Sequence, residues 1–166
     1  MEKNATMSKD LQGGTAVIDE KFEKENATDI GKLLLEGRQI QIPVKGYSMY
    51  PMLVPGRDEA IVQQADVSLL KRGDVVLYRR IQGILVLHRI WRVKGDDFYM
   101  VGDNQMELEG PLDKSQICGR LVGFVHNGRR ISVTDPFYLF YSRIWLFLRP
   151  CRHHLALFVH MFRKKN

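Results

Sequence analysis

At 166 residues, with 45% hydrophobic and 27% charged side chains, the chain has the composition of one globular domain with appendages, which excludes a low-complexity or disordered protein. The net charge of +6 sits at one end. Residues 137–166 hold six Lys or Arg and no Asp or Glu, while the residues before them balance 19 basic against 19 acidic groups, which argues against a basic nucleic-acid-binding face on the body.

Residues 1–27 are polar and rich in Gly, Lys and Glu. They read as a flexible arm, without the apolar stretch of a secretory signal or N-terminal anchor. The next segment, ATDIGKLLLEGRQ, predicts a short helix over 28–37, with Thr28 or Asp29 as N-cap, an apolar face at Ile30, Leu33 and Leu34, and Gly37 as the stop. From Ile40 the apolar period changes to two. The runs IQIPV, EAIVQ, DVVLYRR, ILVLHRIWRV, DFYMVG, ICGRLVGFV and RRISV are rich in β-branched and aromatic residues. Turn signals separate them at Pro55-Gly56, Arg72-Gly73-Asp74, Gly95-Asp96 and Asn127-Gly128, the last a hairpin signal. Short strands at this spacing predict a mainly β domain over 28–135, a coiled barrel or sandwich.

After Asp135-Pro136 the chain becomes FYLFYSRIWLFLRPCRHHLALFVHMFRKK, a helical tail over 136–166. No uncharged apolar run reaches the ~20 residues needed to span a bilayer. On a helical wheel Ser142, Arg149, Arg152, His153, His160 and Arg163 share a side opposite Leu, Phe, Ile and Trp, with Arg143 and His154 breaking the face and Pro150 kinking it. Two readings stand: a basic amphipathic helix that lies on an anionic membrane surface, or helices packed on the β body. Either places the protein in the cytoplasm or at a membrane periphery.

Two cysteines, Cys118 and Cys151, form neither a disulfide framework nor a zinc pattern and read as free thiols. His153, His154 and His160 lack an accompanying carboxylate, and adjacent histidines splay apart on a helix, so no metal and no cofactor is expected. In VKGYSMYPML, Ser48 stands between large side chains on a bend, as a turn serine or as a nucleophile. A serine nucleophile needs a base, and the base needs an orienting partner. The β body offers His88 and His126. His88 falls in the row Ile84, Val86, His88, Ile90, one face of a strand. His126 abuts the Asn127-Gly128 turn and is expected to be exposed.

GYSMYPMLVPGRDEA, LKRGDVVLYRR, LVLHRIWRV and FYMVGDNQ follow one another at short spacings. Together they resemble the signal peptidase I family and its LexA-like relatives over about Gly46–Val125. The resemblance implies a Ser-Met-x-Pro box with Ser48 as nucleophile. It places His88 where bacterial signal peptidases have Lys, which marks the Ser-His branch, and it places Asp103 in the Gly-Asp box as support for the histidine. Glu109, where that branch often carries a second acid, departs from the pattern and takes no role in this reading. Asp74 in the Arg-Gly-Asp turn reads as structural. The implied function is hydrolysis of a peptide bond in a leader or signal peptide, with a leader-bearing protein as substrate. An unperturbed imidazole, with a pKa of about 6.5, suits such a base at neutral pH. A catalytically silent, membrane-docked binding module with the same fold is one alternative. A LexA-like self-cleaving regulator is another, but about 40 residues before the body leave little room for a DNA-binding domain.

Overall fold

The computed structural model describes residues 17–18, 30–81 and 83–148. In chain order the elements are β1 (Val17–Ile18), α1 (30–35), β2 (Gln39–Lys45), β3 (Asp58–Gln63), β4 (Val75–Arg79), β5 (Leu85–Lys94), β6 (Asp97–Val101), β7 (Glu109–Leu112), β8 (Ile117–His126), β9 (Arg129–Ser132) and α2 (136–148). Short 3-10 turns at Val67–Leu69 and Lys114–Gln116 are capped by the side chains of Asp66 and Asp113.

Every strand pairing is antiparallel, in the order β1-β2-β3-β8-β4-β5-β6-β7 with β9 added to β8. The predicted mainly β domain is therefore present, with its short helix and a C-terminal helix. Among the described residues it does not close into a full barrel. β1 joins β2 to β5 through only two residues, pairing Val17 with Lys45 and Val86 and Ile18 with Val44, while β6 and β7 continue past β5.

The apolar alternation accounts for how the sheet packs. In β2, Ile42 and Val44 turn inward while their neighbours face water. β4 and the first six residues of β5 (85–90) are buried on both faces and separate two cores. Val75, Leu77, Leu85 and Leu87 enter one core, beneath Ile30 and Leu34 of α1, and Val76, Tyr78, Val86 and Ile90 enter the other. Ile84, expected in the His88 row, lies before β5 and is exposed.

The punctuation follows its chemistry. α1 ends where Gly37 takes φ +76°, so that its N–H bonds Leu34 and the Arg38 N–H bonds Leu33, a Schellman arrangement. Asn127 and Gly128 both take positive φ between β8 and β9, the geometry of a two-residue hairpin loop.

α2 begins at a cap. The Asp135 carboxylate accepts the Phe137 N–H at 2.8 Å, with Pro136 opening the helix. The helix packs on the body through Tyr138 and Ser142, both buried, with Tyr138 tilted against Phe124 and Trp145 stacked on Tyr141. This corrects the wheel. Ser142, assigned to the polar side, faces inward, because a fully buried arginine needs its hydroxyl. The opposite side carries Phe137, Phe140, Ile144 and Phe147, all exposed. The arm apart from β1, the Thr28 or Asp29 cap, the Pro150 kink, Cys151, the histidine trio and the basic residues beyond Arg143 lie outside the described residues. Cys118 is a free thiol, half buried.

Candidate active site

Ser48 lies in the turn that leaves β2. Gly46 takes φ +73°, the Tyr50 N–H returns to the Tyr47 carbonyl, and the Leu53 N–H to Met49. Met49 and Leu53 are fully buried on either side of Tyr50-Pro51, so the bend is pinned into the core by two apolar anchors. From the other side, the Asn104 N–H donates to the Ser48 carbonyl at 2.6 Å. A Cβ at Gly102 would stand 2.7 Å from that carbonyl oxygen and 2.9 Å from the Ser48 Cβ, which is why the box begins with glycine.

His88 sits on β5 opposite Val76 of β4. Its Nε2 is 3.0 Å from the Ser48 Oγ. The other ring nitrogen, Nδ1, is 3.0 Å from the Tyr78 hydroxyl, and that hydroxyl donates to the Glu109 Oε2 at 2.7 Å. Arg80 holds both oxygens of Glu109, at 2.6 and 2.5 Å. Tyr78 reaches His88 because it is the diagonal cross-strand neighbour on the same face, a separation that an aromatic side chain spans. Ser48 and His88 are each only 1% exposed.

Burial lowers the His88 pKa to about 4, against the Glu109 charge, which pulls it up. Burial raises the Tyr78 phenol strongly, and its hydrogen bond to Glu109 adds to this, so the phenol stays neutral. Burial would raise the Glu109 carboxyl too, but the hydrogen bonds from Arg80 and Tyr78 outweigh it and hold the group below its ordinary value.

Of the three residues assigned from the sequence, the structure brings Ser48 and His88 together and sets Asp103 apart. Arg89 takes the Asp103 carboxylate in two contacts, at 2.7 and 2.8 Å. The reason lies in the strand. His88 and Arg89 are consecutive on β5 and point to opposite faces, and the Gly-Asp box arrives on the Arg89 side through the pairing of Arg89 with Val101. Arg89 also donates to the Gly73 carbonyl and to the Ser142 Oγ, while the Trp145 indole donates to the Asp103 carbonyl. Asp103 therefore ties α2, β5 and the serine bend together and does not orient the histidine. Burial disfavours the Arg89 charge, but Asp103 more than offsets it and raises the pKa further.

Glu109, given no role from the sequence, is the carboxylate that faces the ring, with its Oε2 3.8 Å from Nδ1. Tyr78 and Arg80 were missed. The available signal was the Gly83 turn, which sets the β4–β5 register and makes Tyr78 diagonal to His88. Asp74 is structural as expected, its carboxylate accepting the Lys71 N–H. His126 is half buried, not exposed, because its Nδ1 lies 3.0 Å from the buried Asp58 carboxylate. Compared with known proteins, the chain matches no family model, no curated protein and no solved structure.

Proposed function

We propose that the protein is a serine endopeptidase of the signal-peptidase type, acting on a leader or signal peptide. The observation that carries this reading is the 3.0 Å approach of the His88 Nε2 to the Ser48 Oγ on a bend held from both sides. The order of the four sequence boxes supports it. In the first half-reaction His88 takes the Ser48 proton as Oγ attacks the scissile carbonyl carbon. The resulting imidazolium gives that proton to the leaving amine, the C–N bond breaks, and an acyl-serine remains. Water then attacks the acyl carbon with His88 again as base, which releases the acid and restores Ser48.

The substrate that fits is an extended peptide. β1 pairs with Lys45, three residues before Ser48, and with Val86, two residues before His88. A peptide taking the place of β1 on those two edges would run past both groups and gain main-chain hydrogen bonds. The burial of Ser48 and His88 favours the rival reading of a silent binding module with the same fold. Digestion of an unbiased peptide library, read by mass spectrometry, separates the two. Bonds cut by the wild type and spared by Ser48→Ala support the peptidase, and identical digests support the silent module.

The pH dependence is specific to this histidine. With its pKa near 4, His88 is neutral at physiological pH, so kcat/KM should rise through about pH 4 and stay level to neutrality, not rise at the ordinary imidazole value of 6.5. Between those two values the unfolded chain binds a proton that the folded protein refuses. Stability should therefore fall as pH drops from 6.5 towards 4, by up to about 3 kcal/mol. An activity limb centred near pH 6.5 would contradict this account of the site.

As partner we propose an anionic membrane surface, met by the outer side of α2. Among the described residues no helix is long and apolar enough to cross a membrane. Phe137 is 84% exposed, Phe140 66% and Phe147 78%, a stripe on one helix side in a segment whose charges are all basic. Vesicles containing anionic lipid should recruit the full chain, less so as salt rises. Phe140→Gln with Phe147→Gln should weaken recruitment without moving the unfolding midpoint. Equal binding to neutral and anionic vesicles would remove the electrostatic part of the proposal.

A further inference from the structure

We infer that Tyr78 and Glu109 fix which ring nitrogen of His88 carries the proton, Tyr78 acting as a positioning residue between the base and the carboxylate. The inference rests on the reading of Ser48 and His88 as nucleophile and base. It follows from counting donors. The Tyr78 hydroxyl has one proton and stands between two groups, the Glu109 Oε2 at 2.7 Å and the His88 Nδ1 at 3.0 Å. Glu109 is gripped at both oxygens by Arg80, and an ionised carboxylate can only accept. The phenol proton therefore points to Glu109. Had it pointed to Nδ1, two bare oxygens would face each other at 2.7 Å in a part-buried contact.

With its proton committed, the Tyr78 oxygen presents a lone pair to Nδ1, and Nδ1 must carry the hydrogen. A neutral imidazole has one such hydrogen, so Nε2 is bare and accepts the Ser48 hydroxyl. The chain runs from the Ser48 O–H to Nε2, from Nδ1–H to the Tyr78 oxygen, and from the Tyr78 O–H to the Glu109 carboxylate. When Ser48 attacks, His88 gains the serine proton at Nε2 and keeps its own at Nδ1. The phenol neither gains nor loses a proton. The positive charge on the buried ring then lies 3.8 Å from the part-buried Glu109 carboxylate, which compensates it. The charged and titratable groups facing the ring are Tyr78 and Arg80 from the β4 side, Glu109 from β7 and Ser48 from its bend.

The test is nitrogen-15 NMR of the His88 ring in the full chain at neutral pH, joined to kinetics. The wild type should show a protonated Nδ1 and a bare Nε2. Tyr78→Phe removes the acceptor for Nδ1–H and should move the proton towards Nε2. It should lower kcat by about 100-fold with KM little changed, below the ~10⁴ cost of a wrong tautomer in the Ser-His-Asp case. Glu109→Gln removes the charge that raises the His88 pKa and leaves Arg80, which lowers it, so the acid limb should shift to lower pH. A wild-type ring protonated on Nε2 overturns the inference, as does a Tyr78→Phe enzyme with unchanged tautomer and kcat. The ring spectrum does not depend on turnover. If the protein cleaves no peptide but carries its proton on Nδ1, the peptidase reading fails and the proton assignment stands.

Discussion

Replacing Asp103 with Ala should lower folding stability by about 3–5 kcal/mol, the usual cost of removing one partner from a buried ion pair. Arg89 is 0% exposed, and its guanidinium has the Asp103 carboxylate, the Gly73 carbonyl and the Ser142 hydroxyl around it. Without the carboxylate a full charge stays in a dry interior with only neutral acceptors. Against a typical domain stability of about 5–15 kcal/mol, that loss is large. It should appear as a lowered urea midpoint, because the cost falls on the folded state. Replacing both partners by apolar residues, as Arg89→Met with Asp103→Leu, should recover much of the loss, since the charge that needed a partner is gone. The experiment also decides between two roles. An Asp103→Ala protein that unfolds at the wild-type midpoint and yet is inactive would return Asp103 to the chemistry and undo its assignment as a clamp.

The largest effect on turnover should come from Ser48→Ala and His88→Ala. Each should lower kcat/KM by about 10⁴–10⁶, and the double variant should lose little more than either, because nucleophile and base serve one proton transfer. The stability effects should differ. Ser48→Ala removes one buried hydroxyl and should change the urea midpoint little. His88→Ala leaves a cavity and deprives the Tyr78 oxygen of its partner, so His88→Gln is the better companion for holding the fold. Losses that multiply in the double variant would mean that the two residues act in separate steps, and the dyad would be abandoned.

Much of this architecture was legible in the residues because short-range chemistry decides it. The hairpin at Asn127-Gly128, the stop at Gly37 and the alternation in β2 each depend on local conformational preference, and the structure has all three. The pairing of Ser48 with His88 was legible for another reason: the resemblance carried a long-range contact that no local rule supplies. Where that resemblance was extended to Asp103 it failed. The failure has a physical source, since the choice between Arg89 and His88 depends on which face of β5 the Gly-Asp box approaches. β7 was hidden because EGPL has no alternation and contains two residues that weaken strands. Glu109 therefore stood in a segment to which no element was assigned. Tyr78 drew no separate reading within the DVVLYRR run, and its hydroxyl gains meaning only from the pairing of β4 with β5. In α2 the wheel sorted residues by polarity, whereas the buried guanidinium of Arg89 claimed Ser142 for the interior.

β7 is paired only to β6 among the described strands, through Phe98 with Leu112 and Met100 with Glu109, across an irregular register. Pro111 has no N–H to offer, so β7 carries one ladder donor fewer than a regular strand of its length, a feature typical of strands at a sheet margin. The same shortage of ladder bonds makes β7 the kind of strand that frays first in local opening. Glu109 stands at the start of this strand, and its carboxylate is held from the β4 side by Tyr78 and Arg80. The compensation of the histidine's charge can therefore be followed as hydrogen-exchange protection at one margin of the sheet, on the strand that carries Glu109.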